Sequence, residues 1–422
     1  MKRNLFLVAL AATALASCSQ DEIMEVQQDA IKFNVVTENQ TRAADIYCQN
    51  NLMSSFTLMA TQYSVQNTRT DAAEYIGSKS MTVSNGTASF PTSEVFYWPQ
   101  TGYLDFYAVA NGTMTWSDKA KVPTITDFSL ENEVSKQVDL LYAAATGQSK
   151  AINSEAGVNL NFRHALSQIV FAAKNLNPNI KVTITGVSVC NVYGQGTFTY
   201  PADFASTDGQ VIDHDQNGMK DVTAGATESE QITIGTQGTW AYTNQTTTSD
   251  YTVTLETAVT LDGSKDEAFS LTSANDTDKE YNGNAMLLLP SSYTLWNPNA
   301  SPYVQPGAET QTGTYFLLTC KIQNKANDSY VWGSATAAKS IAIVPASINW
   351  EQGKKYTYTF VFTADGNGGY DPDTTDPTPV LVPIKLNITV DDFTKGDDTT
   401  VDMETVTTTT DSNDTTGDAG QA

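Results

Sequence analysis

The chain has 422 residues, more than one β-sandwich needs and enough for two domains that each bury a core. Its 47 acidic and 23 basic side chains give a formal net charge of -24, so the surface repels phosphate backbones, and we expect no nucleic-acid partner. Short apolar runs separated by turn residues predict an all-β protein located outside the cytoplasm.

The first residues have the pattern of a signal peptide. Lys2 and Arg3 precede an apolar stretch that is too short to span a bilayer, and small residues lead up to Cys18. The sequence LASC at residues 15–18 resembles the lipobox of bacterial lipoproteins. This resemblance implies that residues 1–17 are removed, that Cys18 is lipidated, and that residues 18–30 form a tether to the outer membrane. An ordinary secretory peptide that is cleaved elsewhere is the alternative.

The sequence IKFNVV at residues 31–36 predicts the first strand. Ile31, Phe33 and Val35 fall on one apolar face, as the period of two in a half-buried strand requires. A polar loop follows at residues 37–44, with Arg42 as its only basic residue. A loop arginine is accessible to an Arg-specific protease, although this stretch alone also fits an ordinary solvated residue.

Short strands separated by turn residues predict a first domain over residues 31–150. Its aromatic cluster at residues 96–107 is more typical of core filling than of a sugar-binding platform. A linker is expected at residues 147–157. The predicted strands are 56–60, 80–83, 88–90, 94–98, 104–109 and 138–145.

The second domain is predicted over residues 157–393, with enough strands for another sandwich. Cys48, Cys190 and Cys320 lie far apart and lack CxxC spacing, so we expect three buried thiols, with one disulfide plus a spare thiol as the alternative. The predicted strands are 158–175, 180–192, 231–234, 251–255, 285–289, 315–322, 340–344 and 356–362.

The last predicted strand, VLVPIKLNITV at residues 380–390, follows a polar stretch at residues 364–379 that predicts a flexible linker. An exposed strand with one apolar face needs a sheet edge, in the same molecule or in the next one. The tail at residues 394–422 is rich in Thr and Asp and is expected to be disordered. The apolar face of the strand consists of Val380, Val382, Ile384, Leu386, Ile388 and Val390.

Several of these stretches together resemble the fimbrillin family, which comprises type V pilin subunits and related lipoproteins of anaerobic Gram-negative bacteria. The resemblance implies two tandem transthyretin-like, Greek-key β-sandwiches and a cut after an arginine in the loop that follows the first strand. The stretches are the lipobox, IKFNVV ahead of TRA at 41–43, FYWP at 96–99, NFRHALSQIVFAAKN at 161–175, GKKYTYTF at 353–360 and PIKLNITVDDF at 383–393.

The resemblance also implies how the chain assembles. Cleavage between Arg42 and Ala43 would remove Cys18 together with the first strand and open a groove. A strand of a neighbouring subunit would fill this groove, and head-to-tail repetition would give a fibre. The implied partners are other fimbrial subunits and a host or bacterial surface ligand, at the cell surface, for cell adhesion. The donated residues would be Val382, Ile384, Leu386, Ile388 and Val390.

Two features leave the donor role open. Pro383 removes one hydrogen-bond donor from the proposed strand, which suits an edge or a strand start better than a central position. The tail beyond the last strand also departs from a subunit that ends in its donor strand. Both features would suit a tip or accessory subunit, which receives a strand without giving one.

A loop at residues 213–221 carries oxygen ligands at alternate positions around Gly218, as calcium loops do. Asp213, Asp215, Asn217 and Asp221 are its candidate ligands, although Ala224 stands where a bidentate acid is expected. The alternative is a plain polar turn. Apart from structural calcium, we expect no cofactor.

The sequence shows no catalytic apparatus. It has two histidines and no GxSxG, HExxH or phosphate-binding loop, and His164 is expected to be a packed strand residue. We therefore expect no enzymatic activity. A monomeric outer-membrane lipoprotein that binds glycans through Trp240, Trp296 or Trp332 is the alternative function. A periplasmic carrier or enzyme is a weaker one.

Overall fold

The computed structural model describes residues 29–37, 53–66, 68–84, 87–91, 94–116, 121–201, 237–242, 248–272, 285–364, 368–380, 382 and 384–392. Regular structure in these residues is almost entirely β-strand, which confirms the all-β prediction. The strands of the first half are β1 Phe33–Thr37, β2 Ser55–Tyr63, β3 Ala73–Ser84, β4 Thr87–Ser89, β5 Tyr103–Ala110, β6 Thr124–Ser129, β7 Leu141–Gln148 and β8 Val158–His164.

The second half is also built from strands. Helical structure in the described residues is limited to a 3-10 turn, Val134–Lys136, and the short helix α1, Lys150–Asn153, and neither is a candidate for crossing a membrane. The strands are β9 Ser167–Asn175, β10 Ile180–Tyr193, β11 Gln195–Thr199, β12 Thr239–Ala241, β13 Thr248–Leu261, β14 Phe269–Ser270, β15 Met286–Leu288, β16 Tyr315–Asn324, β17 Tyr330–Trp332, β18 Lys339–Ile343, β19 Lys354–Phe362 and β20 Ile384–Asp392.

Seven strands of the first half form a closed sheet in the order β1-β4-β3-β2-β5-β7-β8, with β8 returning to β1. The pairing of β1 with β8 is parallel, and the other pairings in the ring are antiparallel. A closed sheet has no free edge, so each strand satisfies its backbone groups on both sides. Strand β1 therefore completes the sheet.

The closed sheet encloses one apolar core. Alternate side chains of β1, β2, β5 and β8 point into it, which is the period of two that their sequences show. Phe56 and Phe162 meet edge to face with ring centroids 5.0 Å apart. The core is thus fixed by strands from both ends of the first 164 residues.

Two five-stranded sheets of the second half pack face to face. One contains β13, β10 and β16 with β17 and β18, and the other contains β9, β19 and β20 with β14 and β15. Phe316 on β16 contacts Phe171 on β9 and Tyr358 on β19, with ring centroids 5.4 and 4.7 Å away. Strand β9 is buried on both faces, and it pairs in parallel with β19 inside its sheet, as buried parallel strands commonly do.

A small sheet of β6, β11 and β12 joins the two halves. Tyr200, just after β11, donates its hydroxyl to the backbone carbonyl of Ala108 on β5 at 2.6 Å. Phe198 on β11 packs against Tyr142 on β7, with centroids 4.6 Å apart. The outer face of the closed sheet is therefore covered by residues from the second half.

The observed sheets divide the chain differently from the predicted domains at one strand. Residues 158–175 are predicted to open the second domain, but β8 lies in the closed sheet and only β9 lies in the second half. The backbone N–H of Ala165, between them, donates to the carbonyl of Leu140 at 2.9 Å. A continuous apolar run does not reveal where a chain changes sheets, which explains the difference.

Candidate functional site

Strand β1 lies between two strands and links them. It pairs in parallel with β8 over five residues, beginning with Phe33 opposite Val158. On its other side it pairs antiparallel with β4, where Phe33 lies opposite Ala88. Because β1 is the strand that lies between β4 and β8 in this ring, its removal would leave a groove between them.

The apolar face of β1 is buried in the core of the closed sheet. Ile31, Phe33 and Val35 are the side chains that fill it, on the face that their alternation predicts. The ring of Phe33 meets Phe90 and Phe106 edge to face, with centroids 5.8 and 5.2 Å away. Burial of each such side chain contributes roughly 1.5–3 kcal/mol, so the apolar face contributes strongly to holding β1 in place.

The polar face of β1 is also engaged. The side-chain amide of Asn34 donates to the carbonyl of Ala156 at 2.9 Å and to Oδ1 of Asn159 at 3.0 Å. Gly157 lies between these acceptors with φ of 80°, and a Cβ there would lie 3.2 Å from the carbonyl oxygen of Lys32. Glycine therefore permits the close approach of the two backbones at this point.

The residues just before β1 extend this pairing. The backbone N–H of Ile31 donates to the carbonyl of Phe96 at 2.9 Å, and that of Trp98 donates to the carbonyl of Asp29 at 3.1 Å. Residues 94–98 were predicted as a strand, but they form only an isolated bridge there. The groove that β1 occupies therefore continues past β4 along this segment.

The predicted processing residues Cys18, Arg42 and Ala43 lie outside the described residues, so their roles stay predictions. The structure does describe the other two arginines that follow Arg42 in the sequence. Of the four arginines in the sequence, Arg3 and Arg42 lie outside the described residues, and the side chain of Arg69 is 10% exposed. Arg163 is 8% exposed.

Arg69 is held by a buried network. Its guanidinium forms an ion pair with Asp105, which is fully buried, and lies over the ring of Tyr63. Asp105 also accepts hydrogen bonds from the hydroxyl of Tyr63 at 2.8 Å and from the N–H of Gly147 at 2.7 Å. Burial and the carboxylate of Asp105 raise the pKa of Tyr63. The guanidinium of Arg69 is therefore held by contacts to Asp105 and Tyr63.

Strand β20 lies at the edge of its sheet. It pairs antiparallel with β19 over nine residues, and β19 is its only neighbour among the described strands. Ile384 and Ile388 are buried in the core of the second half, and Leu386 packs against that core. An edge strand can leave a sheet without breaking any pairing except its own.

The observed strand starts later than the predicted one. Residues 380–390 were expected, but β20 begins at Ile384, directly after Pro383. A strand that starts after proline avoids the missing N–H inside the ladder. Val380 and Val382 are buried although they precede the strand, and the side chain of Val390 lies outside the described residues.

The segment before β20 was predicted as a flexible linker, but its described part is paired and packed. Ala342 and Tyr370 exchange two backbone hydrogen bonds of 2.8 Å. The ring of Tyr370 meets Trp296 edge to face, and Asp371 forms an ion pair with Lys339 at 2.5 Å. The composition predicted a linker because Gly, Pro and Asp are frequent here. It did not indicate that Tyr370 attaches the segment to the fold.

The predicted calcium ligands Asp213, Asp215, Asn217 and Asp221 lie outside the described residues, so calcium binding stays a prediction. Among the residues that the structure describes, no group of three or more His, Cys, Asp or Glu side chains is placed to hold a metal ion.

The tryptophans considered for glycan binding are engaged in the fold. Trp296 is only 2% exposed, so it does not present its ring at the surface for glycan binding. The partly buried Trp240 donates its indole N–H to the carbonyl of Ala165 at 2.8 Å. The ammonium group of Lys339 lies over the ring of Trp332 at 4.6 Å. All three tryptophans therefore make contacts within the fold.

The reactive residues named from sequence have structural roles. Cys190 and Cys320 are free thiols, and burial raises the pKa of both. Cys48 lies outside the described residues. His164 is packed, as expected, and its Nδ1 lies 2.5 Å from Oδ2 of Asp139.

Two features of the groove were not identified from sequence. The hydrogen bonds of Asn34 lie on the polar face of β1, where pattern reading records only a polar residue. The pocket for Phe33 is made by Phe90 and Phe106, which are separated in sequence from β1 and from each other. The FYWP segment predicted an aromatic core, but it did not indicate that this segment lies beside the start of β1.

Comparison with known proteins agrees with an all-β surface protein. A sequence model of the fimbrillin-like family matches residues 41–377. A search of curated proteins gave no match.

Solved structures cover most of the chain at low identity. A fimbrial protein from Bacteroides vulgatus is 14% identical with a TM-score of 0.47, and the alignment covers 86% of this chain and 99% of that one. A proposed cell adhesion protein from Bacteroides uniformis is 14% identical with a TM-score of 0.39, covering 86% and 98%. The tip fimbrial protein Mfa3 from Porphyromonas gingivalis is 9% identical with a TM-score of 0.32, covering 85% and 99%. Because the family model matches most of its length, the chain belongs to the fimbrillin-like family.

Proposed function

We propose that this protein is a subunit of a fimbrium, assembled with other fimbrial subunits by strand exchange and serving cell adhesion. Family membership supports the fimbrial role. The leader supports export as a lipoprotein, with Cys18 as the lipidated residue and the outer membrane as the anchoring site before processing. The proposed role is structural and adhesive, with no enzymatic step.

The position of β1 carries the proposal. This strand is the first of the described chain, and it closes the sheet by lying between β4 and β8. A cut in the loop after it would break its covalent connection to the rest of the sheet, so that β1 could leave the groove. The groove would then expose apolar side chains and the unpaired backbone groups of β8, which is the kind of surface that an added strand binds.

Arg42 is the proposed processing site, with cleavage between Arg42 and Ala43. The burial of Arg69 and Arg163 supports this assignment, because an Arg-specific protease that meets the folded chain would find neither of them accessible. Cleavage at this site would release the lipidated Cys18 and β1 on one fragment.

Strand β20 is the proposed donor. Val382, Ile384, Leu386, Ile388 and Val390 would supply the apolar contacts in a neighbour's groove. Its place at a sheet edge supports this role, because β19 is its only strand partner among the described residues. Contacts between a groove on one molecule and a strand on the next do not close on themselves, so repetition gives a fibre.

Treatment of the purified chain with an Arg-specific protease tests the processing step. We expect one product whose sequence begins at Ala43, followed by high-mass ladders on unheated gels. Arg42→Ala should prevent both the cut and the ladders. Gln40→Ala, in the same loop, is the matched control and should behave as the wild type.

A cut elsewhere in the folded chain would contradict the assignment of Arg42. A cut after Arg42 that gives no ladders, and no binding of an added strand peptide, would contradict strand exchange.

A further inference from the structure

Strands β1 and β20 share a sequence pattern. β1 and its two preceding residues begin IKFNV at residues 31–35, and β20 begins IKLNI at residues 384–388. Ile, Lys and Asn are identical at equivalent positions, and the remaining pairs, Phe with Leu and Val with Ile, exchange one apolar side chain for another. The two strands therefore present the same alternation of apolar and polar side chains.

The two strands have different neighbours. Their common sequence pattern is therefore not explained by the contacts that each makes within its own sheet. β1 lies between β8, which is parallel to it, and β4, which is antiparallel. Among the described strands β20 pairs with β19 alone, and that pairing is antiparallel. The asparagine is the most informative match, because Asn34 uses its side chain to bind the loop before β8.

We propose that β20 of a second copy of this chain replaces β1 in one defined register, parallel to β8, with Leu386 in the place of Phe33 and Asn387 in the place of Asn34. This inference rests on the proposed function and specifies its partner, orientation and register.

The apolar side chains of β20 suit the vacated positions. Ile384, Leu386 and Ile388 would take the places of Ile31, Phe33 and Val35 in turn. Leu is smaller than the Phe whose ring contacts Phe90 and Phe106, so the central position would be filled incompletely. A larger residue at position 386 should therefore bind more tightly.

The polar side chains determine the direction of the strand. In the proposed register, the amide of Asn387 reaches the two acceptors that Asn34 uses, and Lys385 takes the exposed position of Lys32. If the strand entered in reverse about Leu386, the lysine would occupy the position of Asn34. The lysine side chain is longer than that of asparagine. Its ammonium group would therefore extend past the two acceptors, which lie 2.9 and 3.0 Å from the amide of Asn34.

Disulfide trapping distinguishes these orientations. Thr87, on β4, lies opposite Asn34 and is exposed, so Thr87→Cys places a thiol on the groove wall. The full chain would also carry Cys48→Ser, would be cut with the Arg-specific protease, and would be incubated with peptides of residues 384–392. A peptide with Asn387→Cys should cross-link, and one with Lys385→Cys should not.

Peptide affinity tests the asparagine contact. We expect Asn387→Ala in the peptide to weaken binding roughly fivefold, because the peptide loses both hydrogen bonds of the amide. In a chain with Asn159→Ala the same peptide change should cost about twofold, because only one of the two acceptors remains. Leu386→Phe in the peptide should strengthen binding.

The outcomes separate the register from the proposed function. Preferred cross-linking by the Lys385→Cys peptide, or additive effects of the two asparagine changes, would overturn the register. A cut chain that binds the peptide of residues 31–37 but not that of residues 384–392 would overturn β20 as the donor. A cut chain that binds neither peptide would overturn strand exchange itself.

Discussion

The side-chain amide of Asn34 donates to Oδ1 of Asn159, 3.0 Å away, across the parallel pairing of β1 with β8. This contact couples the first strand of the described chain to a strand more than a hundred residues later. It also means that both faces of β1 are engaged before any cut, one in the core and one with the loop before β8. An uncut subunit therefore has no groove to offer, which would keep assembly dependent on processing.

Asn34→Ala should lower the free energy of unfolding by about 1 kcal/mol, because one side-chain amide loses its acceptors. Urea unfolding of the uncut chain measures this change. Lys32→Ala, on the same polar face but exposed, should shift the free energy by less than about 0.5 kcal/mol. Equal effects of the two substitutions would contradict the importance of the asparagine contact.

Phe33→Ala should destabilise the uncut chain by about 3–5 kcal/mol, because it leaves a cavity between Phe90 and Phe106. Phe33→Leu should cost less, since most of the volume is retained. After cleavage at Arg42, the Phe33→Ala fragment should leave the groove faster than the wild-type fragment. Size-exclusion chromatography of the cut protein measures that release.

The sequence allowed several elements to be predicted because their patterns are local. The alternation in residues 31–36 and 356–362 identified β1 and β19, and the buried alternate residues lie where that period predicts. The sequence did not predict which strands pair with each other. The parallel pairing of β1 with β8 depends on contacts that no local pattern contains, and β8 was therefore assigned to the second domain.

Two misassigned segments have a similar cause. The 364–379 stretch has the composition of a linker, yet its described part is paired through Tyr370 because a cluster around Trp296 accepts that ring. Residues 94–98 have strand-forming side chains but form a single isolated bridge, between Tyr97 and Ala30. In both cases a tertiary partner, and not local propensity, decided the structure.

Asp105→Ala should expose Arg69 to proteolysis. The fully buried carboxylate pairs with the guanidinium, and removal of one partner of a buried ion pair costs about 3–5 kcal/mol. We expect an Arg-specific protease to produce a second cut, after Arg69, that the wild-type chain does not show. The same treatment of urea-unfolded wild-type chain supplies the reference fragment. A variant cut only after Arg42 would contradict the shielding role of Asp105.

The chain should lose stability at alkaline pH through its buried tyrosines. Burial raises the pKa of Tyr356 to about 12, although the N–H of Glu351 donates to its hydroxyl at 2.9 Å and opposes the shift. An unfolded tyrosine ionises near pH 10, so the contribution of Tyr356 is complete below about pH 10 and is lost as the pH rises toward about 12. Urea midpoints at pH 9 and pH 11 measure the loss, and Tyr356→Phe should reduce it.

Ile388→Ala should destabilise the uncut chain by about 2–4 kcal/mol, because Ile388 is buried in the core of the second half. The neighbouring Thr389→Ala, on the partly exposed face of β20, should change stability by less than about 0.5 kcal/mol. Urea unfolding of both variants measures the difference. If β20 is also the donor, Ile388→Ala should weaken binding of the 384–392 peptide to a cut wild-type chain. Loss of stability with unchanged peptide binding would separate the two roles, leaving β20 as a strand of its own sheet alone.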